Sequence, residues 1–508
     1  MKNLAKNVGI VLVLTVLGKV ASFLSEMIIA NFLGTTNQAD AYSMISGIHY
    51  VIYPMLGIGI WSIFLPEYQK RRVLAEEKEL KEYSDKVITL FLILSTIAAV
   101  LVFVFAGQII SVASPGFSEE TKEIATILLR IYSPYFVFST ISSVYAAMLQ
   151  SRGRFLGSQI REFASYLPTI LIGPLLYSKI GVSGFAVALI FGSILRLVVQ
   201  FPFINWKYRY KPNFHFRDKS IATIFKKSPS ALIISSSDQV LTLVDKSMAS
   251  SLAIGSVASL NYGHKLTNVI NGVVTTSVGT VLFPEMPKML VKKQHKELGD
   301  LMVRVLVSLS MIIFPIMILA LIYSKDIVQL VYARGLFDDN SVITTTAVFY
   351  GYLFGLYFVG IKQITDKLFY SMDKNNIVMI FNIIHVVMNI ILNIILINMM
   401  GLSGLAYATS ISSTAYMFIC LVYLKRSIIN LNIFKLFGKL VIVFLISLLP
   451  TLAISMLLDN TGLFWIIRLI ITAVAGLIFY LIVYKIIRFE EFINMQNMVL
   501  KIFKNKKN

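Results

Sequence analysis

The sequence predicts an all-α, polytopic membrane protein of about fourteen transmembrane helices, built as two parallel six-helix lobes followed by an extra C-terminal helix pair. Three observations carry this reading. The 508 residues are 57% hydrophobic and only 14% charged, against about 45–50% apolar and about 25% charged in soluble domains. A soluble core of this length could not hide so much apolar surface. Apolar runs of about 20 residues, the length that crosses the hydrocarbon of a bilayer, recur along the chain. Two short motifs also recur at nearly one offset.

The runs lie near Asn7–Phe32, Ala41–Leu65, Val87–Val112, Ile124–Leu149, Gln159–Leu176, Gly184–Asn205 and Ser228–Leu252. They continue near Ser259–Phe283, Leu301–Tyr323, Ser341–Tyr370, Ile377–Met399, Ala406–Leu424, Leu440–Leu457 and Leu463–Ile487. The first follows Lys2 and Lys6, as a signal peptide would, but Lys19 and Glu26 continue inside it without a small-residue cleavage pattern. It is expected to be a retained membrane helix. The single cysteine, Cys420, excludes a disulfide framework and a cysteine metal site.

Charge orients the chain. The net charge of +20 does not point to nucleic acid, because the basic residues sit in short loops between apolar runs. One set of alternate loops holds Lys70–Arg72, Lys78, Lys81 and Lys86; Arg152, Arg154 and Arg161; Lys207 through Lys227; Lys288 through Lys296; Lys374; Lys425, Arg426 and Lys435; and the Lys501–Lys507 tail. The opposite set holds little beyond Lys122, Lys179, Lys325 and Arg334. The positive-inside rule then puts both termini in the cytoplasm of a bacterial cell with the chain in its cytoplasmic membrane. Pro66–Lys86, the largest loop, reads as a short surface helix. The tail from Phe489 reads equally as a segment lying on the anionic inner leaflet and as a frayed end.

The repeat divides the chain. Phe64-Leu-Pro-Glu-Tyr-Gln-Lys70 closes the second run and Leu282-Phe-Pro-Glu-Met-Pro-Lys288 the eighth. Gly181-Val-Ser-Gly-Phe-Ala-Val-Ala188 opens the sixth and Gly401-Leu-Ser-Gly-Leu-Ala-Tyr-Ala408 the twelfth. Pro66 pairs with Pro284 and Gly181 with Gly401, offsets of 218 and 220 residues. Six helices per copy is an even number, so both copies enter the membrane from one side. Transporters with such parallel repeats place the cargo site between the halves. The expected organisation is an N-terminal lobe over 1–222, a second lobe over 223–436, the extra pair over 437–488 and a basic tail over 489–508.

The motifs carry a resemblance. Gly18-Lys-Val-Ala-Ser-Phe23, Ala30-Asn-Phe-Leu-Gly34 and Ala39-Asp-Ala41 form the first group. Tyr262-Gly-His-Lys-Leu266 with Gly279-Thr-Val-Leu-Phe-Pro284 forms the second, and Ala333-Arg-Gly-Leu-Phe-Asp338 with Thr345, Tyr352 and Gly355 the third. Phe369-Tyr-Ser-Met-Asp373, Asn389 and Gly401-Leu-Ser-Gly-Leu-Ala406 complete the series. Together they resemble the MurJ/MviN family, the lipid II flippases of the multidrug/oligosaccharidyl-lipid/polysaccharide exporter superfamily. The resemblance implies a V-shaped pair of lobes around a cationic cavity, an undecaprenyl-pyrophosphate-linked saccharide as cargo and a groove for its lipid tail beside the extra helix pair. It also implies a non-enzymatic translocator that acts in peptidoglycan biosynthesis. The chain departs from the family pattern at Ser25, next to Glu26, where an arginine is usual, and along Gly47–Tyr53, where arginines are missing. The family's Asp-Arg pair stands here as His264-Lys265, while Lys19, Asp40 and Lys265 are kept in kind or in charge. The implied cavity is less positive than is typical, and a capsule or exopolysaccharide unit becomes the competing cargo. A cation-coupled drug exporter fits the basic cavity less well.

Charges inside membrane helices are rare and functional by default. Lys19, Arg196, Lys246, Lys265, Lys362 and Lys367 are the buried cations. Lys19 and Lys265 are the favoured ligands of the pyrophosphate, with Asp40, His264 and Glu26 around them. The bland alternative, an ion pair of Lys19 with Glu26, spans two turns of one helix, beyond simple side-chain pairing. Arg196 and Lys367 read as snorkelling to head groups. Asp245-Lys246 reads as a gate or a solvated pair.

Asp238, Lys362, Asp366 and Asn382 form a second group, with Ser235–Ser237 and His385 nearby in sequence. Their oxygens suit a sodium coupling ion. A static Lys362 salt bridge and a proton taken up by a carboxyl are the alternatives. Asn389, Asn393 and Asn398 read as amide glue between helices, and Arg334-Gly335 with Asp338 and Asp339 as a capped turn or a gate. There is no phosphate loop, HExxH or nucleophile elbow, so no cofactor is expected beyond a sodium ion or proton. A monomer in the bilayer is the expected state, with the lipid-linked glycan as its partner.

Overall fold

The computed structural model of the protein describes residues 2–204, 208–216, 222, 237–282, 285–292, 294–372, 374–427 and 433–487. Lys207, Arg217, Lys219, Lys226, Lys227, Ser235, Ser236 and the tail from Phe489 lie outside the described residues. Among the described residues there is no strand. The chain forms α1 (Lys2–Leu33), α2 (Asn37–Gly59), α3 (Leu65–Leu74), α4 (Glu77–Val104), α5 (Ala106–Ala113), α6 (Glu119–Tyr132) and α7 (Tyr135–Ser151). It continues through α8 (Phe155–Leu171), α9 (Gly173–Ile180), α10 (Ser183–Val198), α11 (described over 237–249), α12 (Ser256–Leu282) and α13 (Glu285–Val291). The remaining helices are α14 (His295–Ile322), α15 (Ser324–Tyr332), α16 (Asp339–Leu353), α17 (Leu356–Ser371), α18 (Asn375–Met400), α19 (Leu402–Ser427), α20 (Ile433–Asp459) and α21 (Trp465–Ile487).

Among the described residues nine helical spans are long and apolar enough to cross a membrane, and the bent pair α16–α17 makes ten. The protein is therefore a multi-pass helical membrane protein. Although α2 and α12 are long enough, they do not meet the apolar test. They carry Asp40, Ser43, Ser46 and His49, and Asn261, His264 and Lys265. A helix that lines a polar site gives up apolar residues, so its hydropathy understates its place in the membrane.

Several expected continuous runs are broken, each at an identifiable residue. Ile124–Leu149 is split between α6 and α7 at Ser133–Pro134, where proline removes a helical donor. Gln159–Leu176 is split at Gly173-Pro174, which opens α9. The run Ser341–Tyr370 bends by 50° between α16 and α17. Gly355 stands at that bend, and a β-carbon there would lie 2.6 Å from the Ser410 hydroxyl. The short helix expected after Pro66 is α3, whose Glu67 and Arg71 pair at 3.0 Å one turn apart.

The chain divides into two compact units. The first comprises Met1–Lys265 with Tyr332–Thr344, the second Leu266–Val331 with the chain from Thr345 onward. In the first, α8 packs between α1 and α10, while α7 lies against α4 and α10. Gly18 brings α1 close to α8, 3.4 Å from the Glu162 side chain for an added β-carbon. In the second, α19 packs on α17 and α18, and the extra pair α20–α21 packs on α14. Hydroxyls tie that pair down. Tyr480 donates to the Ser310 carbonyl at 2.7 Å, and Tyr323 lies 2.9 Å from Thr472. In hydrocarbon such bonds contribute where burial of apolar surface cannot.

Both copies of the Gly-x-Ser-Gly motif make the same turn. Gly181 and Gly401 have φ of 60° and 59°, the left-handed region open to glycine. Their N–H groups donate to the carbonyls of Tyr177 and Ile397, each at 2.9 Å. Gly184 and Gly404 then press against the preceding helix. A β-carbon would lie 2.5 Å from the Leu176 carbonyl carbon in one copy and 2.2 Å from the Leu396 oxygen in the other. Gly184→Ala and Gly404→Ala are therefore expected to cost about 1–3 kcal/mol each by overpacking, read as lowered melting temperatures of the detergent-solubilised protein. Alanine tolerated without loss at both sites would contradict this packing.

Candidate functional site

Four helices of the first unit supply one polar cluster. α1 carries Lys19 and Glu26, α2 carries Ser43 and Ser46, α11 carries Lys246, and α12 carries Asn261 and Lys265, one turn apart on one face. The Lys265 ammonium lies 3.5 Å from one Glu26 oxygen. Asn261 donates its amide to the other at 2.6 Å. The Asn261 carbonyl accepts from Lys246 at 2.9 Å, and Lys246 also donates to the Ser43 carbonyl at 2.7 Å and to the Ser46 hydroxyl at 3.0 Å. Lys246 is thus fully enclosed, with 2% of its surface exposed.

The structure brings Lys265 and Glu26 together and leaves Lys19 out of the pair. Lys19 is half-buried, close enough to Lys265 for their charges to repel, and makes no ion pair among the described residues. The expectation for Lys246 changes. It is not part of a solvated pair but a buried member of the cluster. Gly47 makes room for its stem, since a β-carbon there would lie 3.1 Å from its δ-carbon. This is the stretch of α2 where arginines were expected and are missing, so a lysine from another helix delivers positive charge there. Asn261, which carries no charge, gave no signal in the sequence. The cluster thus sets three basic side chains, Lys19, Lys246 and Lys265, beside the single carboxylate of Glu26.

Asp40 stands apart from this cluster. Its two oxygens accept from the backbone N–H groups of Gly255, at 2.7 Å, and Ala258, at 2.8 Å. It caps the N-terminus of α12 from across the unit, where unsatisfied N–H groups and the helix dipole favour a carboxylate. Its contacts hold the start of α12 in place. His264 is half-buried on α12 next to Lys265.

The same end of the unit is closed by the segment around Arg334. Leu336 donates its N–H to the Asn31 carbonyl at 2.9 Å, Thr35 and Ser341 hydroxyls meet at 2.7 Å, and Tyr262 donates to the Gly34 carbonyl at 3.1 Å. Gly335, at φ 57°, seats directly on the Asn31 carbonyl. The capped turn expected here is present. One Asp338 oxygen accepts from the Ser341 N–H at 2.8 Å and its hydroxyl at 2.6 Å.

The second unit holds the other group. Lys362 and Asp366 pair at 3.3 Å, one turn apart on α17. Tyr416 donates to the other Asp366 oxygen at 2.5 Å, and Asn382 lies 3.3 Å from the same hydroxyl. Lys362, Asp366 and Asn382 thus meet around Tyr416, which sequence reasoning did not single out. Asp238 is exposed and belongs to the first unit. Asn389 bridges to Thr409 at 3.3 Å and Asn393 to Asn389 at 3.1 Å.

Arg196 is a correction. It does not snorkel but is buried at 7% exposure, donating to Glu162 at 2.7 Å, with Arg161 at 3.0 Å from the same carboxylate. One guanidinium nitrogen meets both Glu162 and, at 3.4 Å, the Tyr53 hydroxyl, which offsets part of the cost of burial.

Fold and site together define a multi-pass membrane protein that holds a cluster of basic side chains inside a helical bundle. The sequence pattern of the family described as "Lipid II flippase MurJ" matches residues 29–472. The chain belongs to this family. It is 25% identical over 509 residues to a probable lipid II flippase MurJ of Buchnera aphidicola subsp. Schizaphis graminum, covering 94% of this chain and 96% of that one. It is likewise 25% identical over 407 residues to the protein so described from Borreliella burgdorferi, covering 79% and 80%. Among solved structures, a lipid II flippase MurJ in an inward closed conformation superposes with a TM-score of 0.79 at 23% identity, covering 94% of this chain and 99% of that one. An inward-facing multidrug resistance MATE family transporter superposes at 0.63 and 16% identity, covering 80% and 93%.

Two outcomes follow from this geometry. Asn261→Leu leaves Lys246 and Glu26 without their shared amide, and should cost about 3 kcal/mol or more, measured as a fall in melting temperature. A melt equal to wild type would dismiss the bridge. The Ser341 donors hold the Asp338 carboxyl below the usual carboxylate range. Its contribution is complete above that range and is lost as pH falls through the lowered value. Amide exchange at Ser341 should therefore accelerate on acidification below about pH 4, and Asp338→Asn should remove that dependence.

Proposed function

We propose that the chain translocates an undecaprenyl-pyrophosphate-linked saccharide, most simply lipid II, from the inner to the outer leaflet of the cytoplasmic membrane by alternating access. The observation that carries this reading is the cluster of three basic side chains, Lys19, Lys246 and Lys265, beside the single carboxylate of Glu26. A pyrophosphate meets a severe penalty in hydrocarbon, and fixed cations in a wet cavity offset it. Lys19, half-buried and outside any ion pair among the described residues, is the first contact for the anion. Lys265 becomes available by exchanging Glu26 for the pyrophosphate. The protein acts as a non-enzymatic carrier and a monomer, with both termini in the cytoplasm.

A second cargo, a capsule or exopolysaccharide repeat unit on the same lipid carrier, is favoured by one observation. Ser25 turns its hydroxyl back to the Ser22 carbonyl at 2.8 Å and presents no charge. The pyrophosphate would be common to both cargoes, and the sugar would decide between them.

Energy coupling rests on the Lys362–Asp366–Tyr416 group. The ammonium already neutralises the carboxylate, so it serves as a tethered cation in place of sodium. Proton exchange at Asp366 is the remaining coupling route.

Lys19→Ala and Lys265→Ala should each lower transport at least tenfold while the folded protein still reaches the membrane. Rescue of a strain depleted of its lipid II flippase is the measure. Equal rescue by both variants would remove the assigned role of the cluster. Failure of the wild-type chain to rescue, at normal expression, would transfer the assignment to an exopolysaccharide unit.

A further inference from the structure

A cationic cavity lies in the first unit, lined by none of the residues of the Lys265 cluster, and the translocation reading makes no use of it. It measures about 350 Å³, inside the range of small-molecule sites. Its walls come from the first turns of α4, the last turn of α7 and the segment after α10. Four cations line it: Lys78, Lys81, Arg152 and Arg154. Met148, Leu149, Phe203 and Ile204 supply an apolar floor.

Most of the cations are held in place. Arg152 donates to the Tyr68 hydroxyl at 3.0 Å and to Glu77 at 3.1 Å. Lys81 pairs with Asp85 at 2.6 Å, and Tyr208 donates to the other Asp85 oxygen at 2.8 Å. Arg154 donates to the Phe203 carbonyl, a neutral acceptor. Lys78 is exposed beside them. Glu77 and Asp85 balance two of the four cations, so two positive charges remain in a concave, apolar-floored site.

Its position narrows the ligand. α4 enters and α7 leaves the apolar bundle at this level, so the cavity lies where helix ends meet a head-group layer. Basic pockets between membrane helices on the cytoplasmic side take lipid phosphates. We infer that this cavity binds the phosphate of an anionic phospholipid, with the glycerol end of its acyl chains on the Met148–Phe203 floor. A free phosphate would use the same cations but gain nothing from the floor.

The test uses the full chain in detergent, with bound lipid counted by native mass spectrometry. Phosphatidylglycerol should bind in preference to phosphatidylcholine. Lys78→Gln should weaken it about fivefold and Lys78→Glu about twenty-fivefold, the value of one and two charges at a membrane surface. Lys78 is exposed and bonded to no other residue among those described, so both variants should keep the wild-type melting temperature. Equal uptake of both lipids would overturn the inference, as would phosphatidylglycerol binding unchanged in Lys78→Glu. Inorganic phosphate that displaces phosphatidylglycerol at comparable concentration would overturn the lipid assignment in favour of a soluble phosphate.

Discussion

Charge in a low-dielectric interior must be partnered, and in the first unit that requirement organises four helices. Lys246, Asn261, Glu26 and Lys265 form one chain of contacts, in which the neutral amide of Asn261 bridges an ammonium to a carboxylate. Remove the amide and two enclosed charges lose the partner they share. Arg161, Arg196 and Glu162 obey the same rule on α8 and α10, as do Lys362 and Asp366 in the second unit. The clusters differ in balance. Carboxylate and cation match one to one at Lys362–Asp366, whereas two arginines share Glu162 and three lysines stand around Glu26. A surplus around Glu26 is tolerable where an anion comes and goes, which is why the cluster and the family assignment support each other.

Much of this was legible in residues. The Gly-x-Ser-Gly copies announced a repeat, and the two turns have matching torsions, hydrogen bonds and close approaches. Glycine is informative because its reason for being there is local. Lys19 and Lys265 stood out because charge among apolar residues is conspicuous. Lys246 was visible but misplaced, since Ser43 and Ser46 of α2 are some 200 residues away in sequence and Asn261 of α12 gave no signal of its own. Asn261 and Tyr416 were invisible for a related reason: neutral polar residues are common in membrane helices, and only a neighbour's charge makes them special. Arg196 looked like a residue at an interface because linear position says nothing about Glu162, two helices back. Helix breaks at Pro134 and Gly173-Pro174 have a local cause that the count of apolar runs passed over, whereas the bend at Gly355 depends on Ser410 in another helix.

The altered pattern of cations has chemical meaning. An arginine presents a rigid fork suited to two phosphate oxygens, while a lysine is a compact, strongly hydrated point charge. Here the stretch Gly47–Tyr53 contributes space instead of a guanidinium, and Lys246 occupies part of it. The pyrophosphate would meet compact point charges instead of planar forks. Such a site depends less on the orientation of the phosphates, and more of its selectivity falls to the sugars.

Asp40 has a bearing on hydration. Its oxygens replace the missing partners of two N–H groups at the start of α12. If that end of the unit separates, a carboxylate and the donors of a helix terminus lose one another together. Only water can satisfy both at once. Parting and wetting at Asp40 are therefore a single event, and a dry open state is not accessible to this end of the protein.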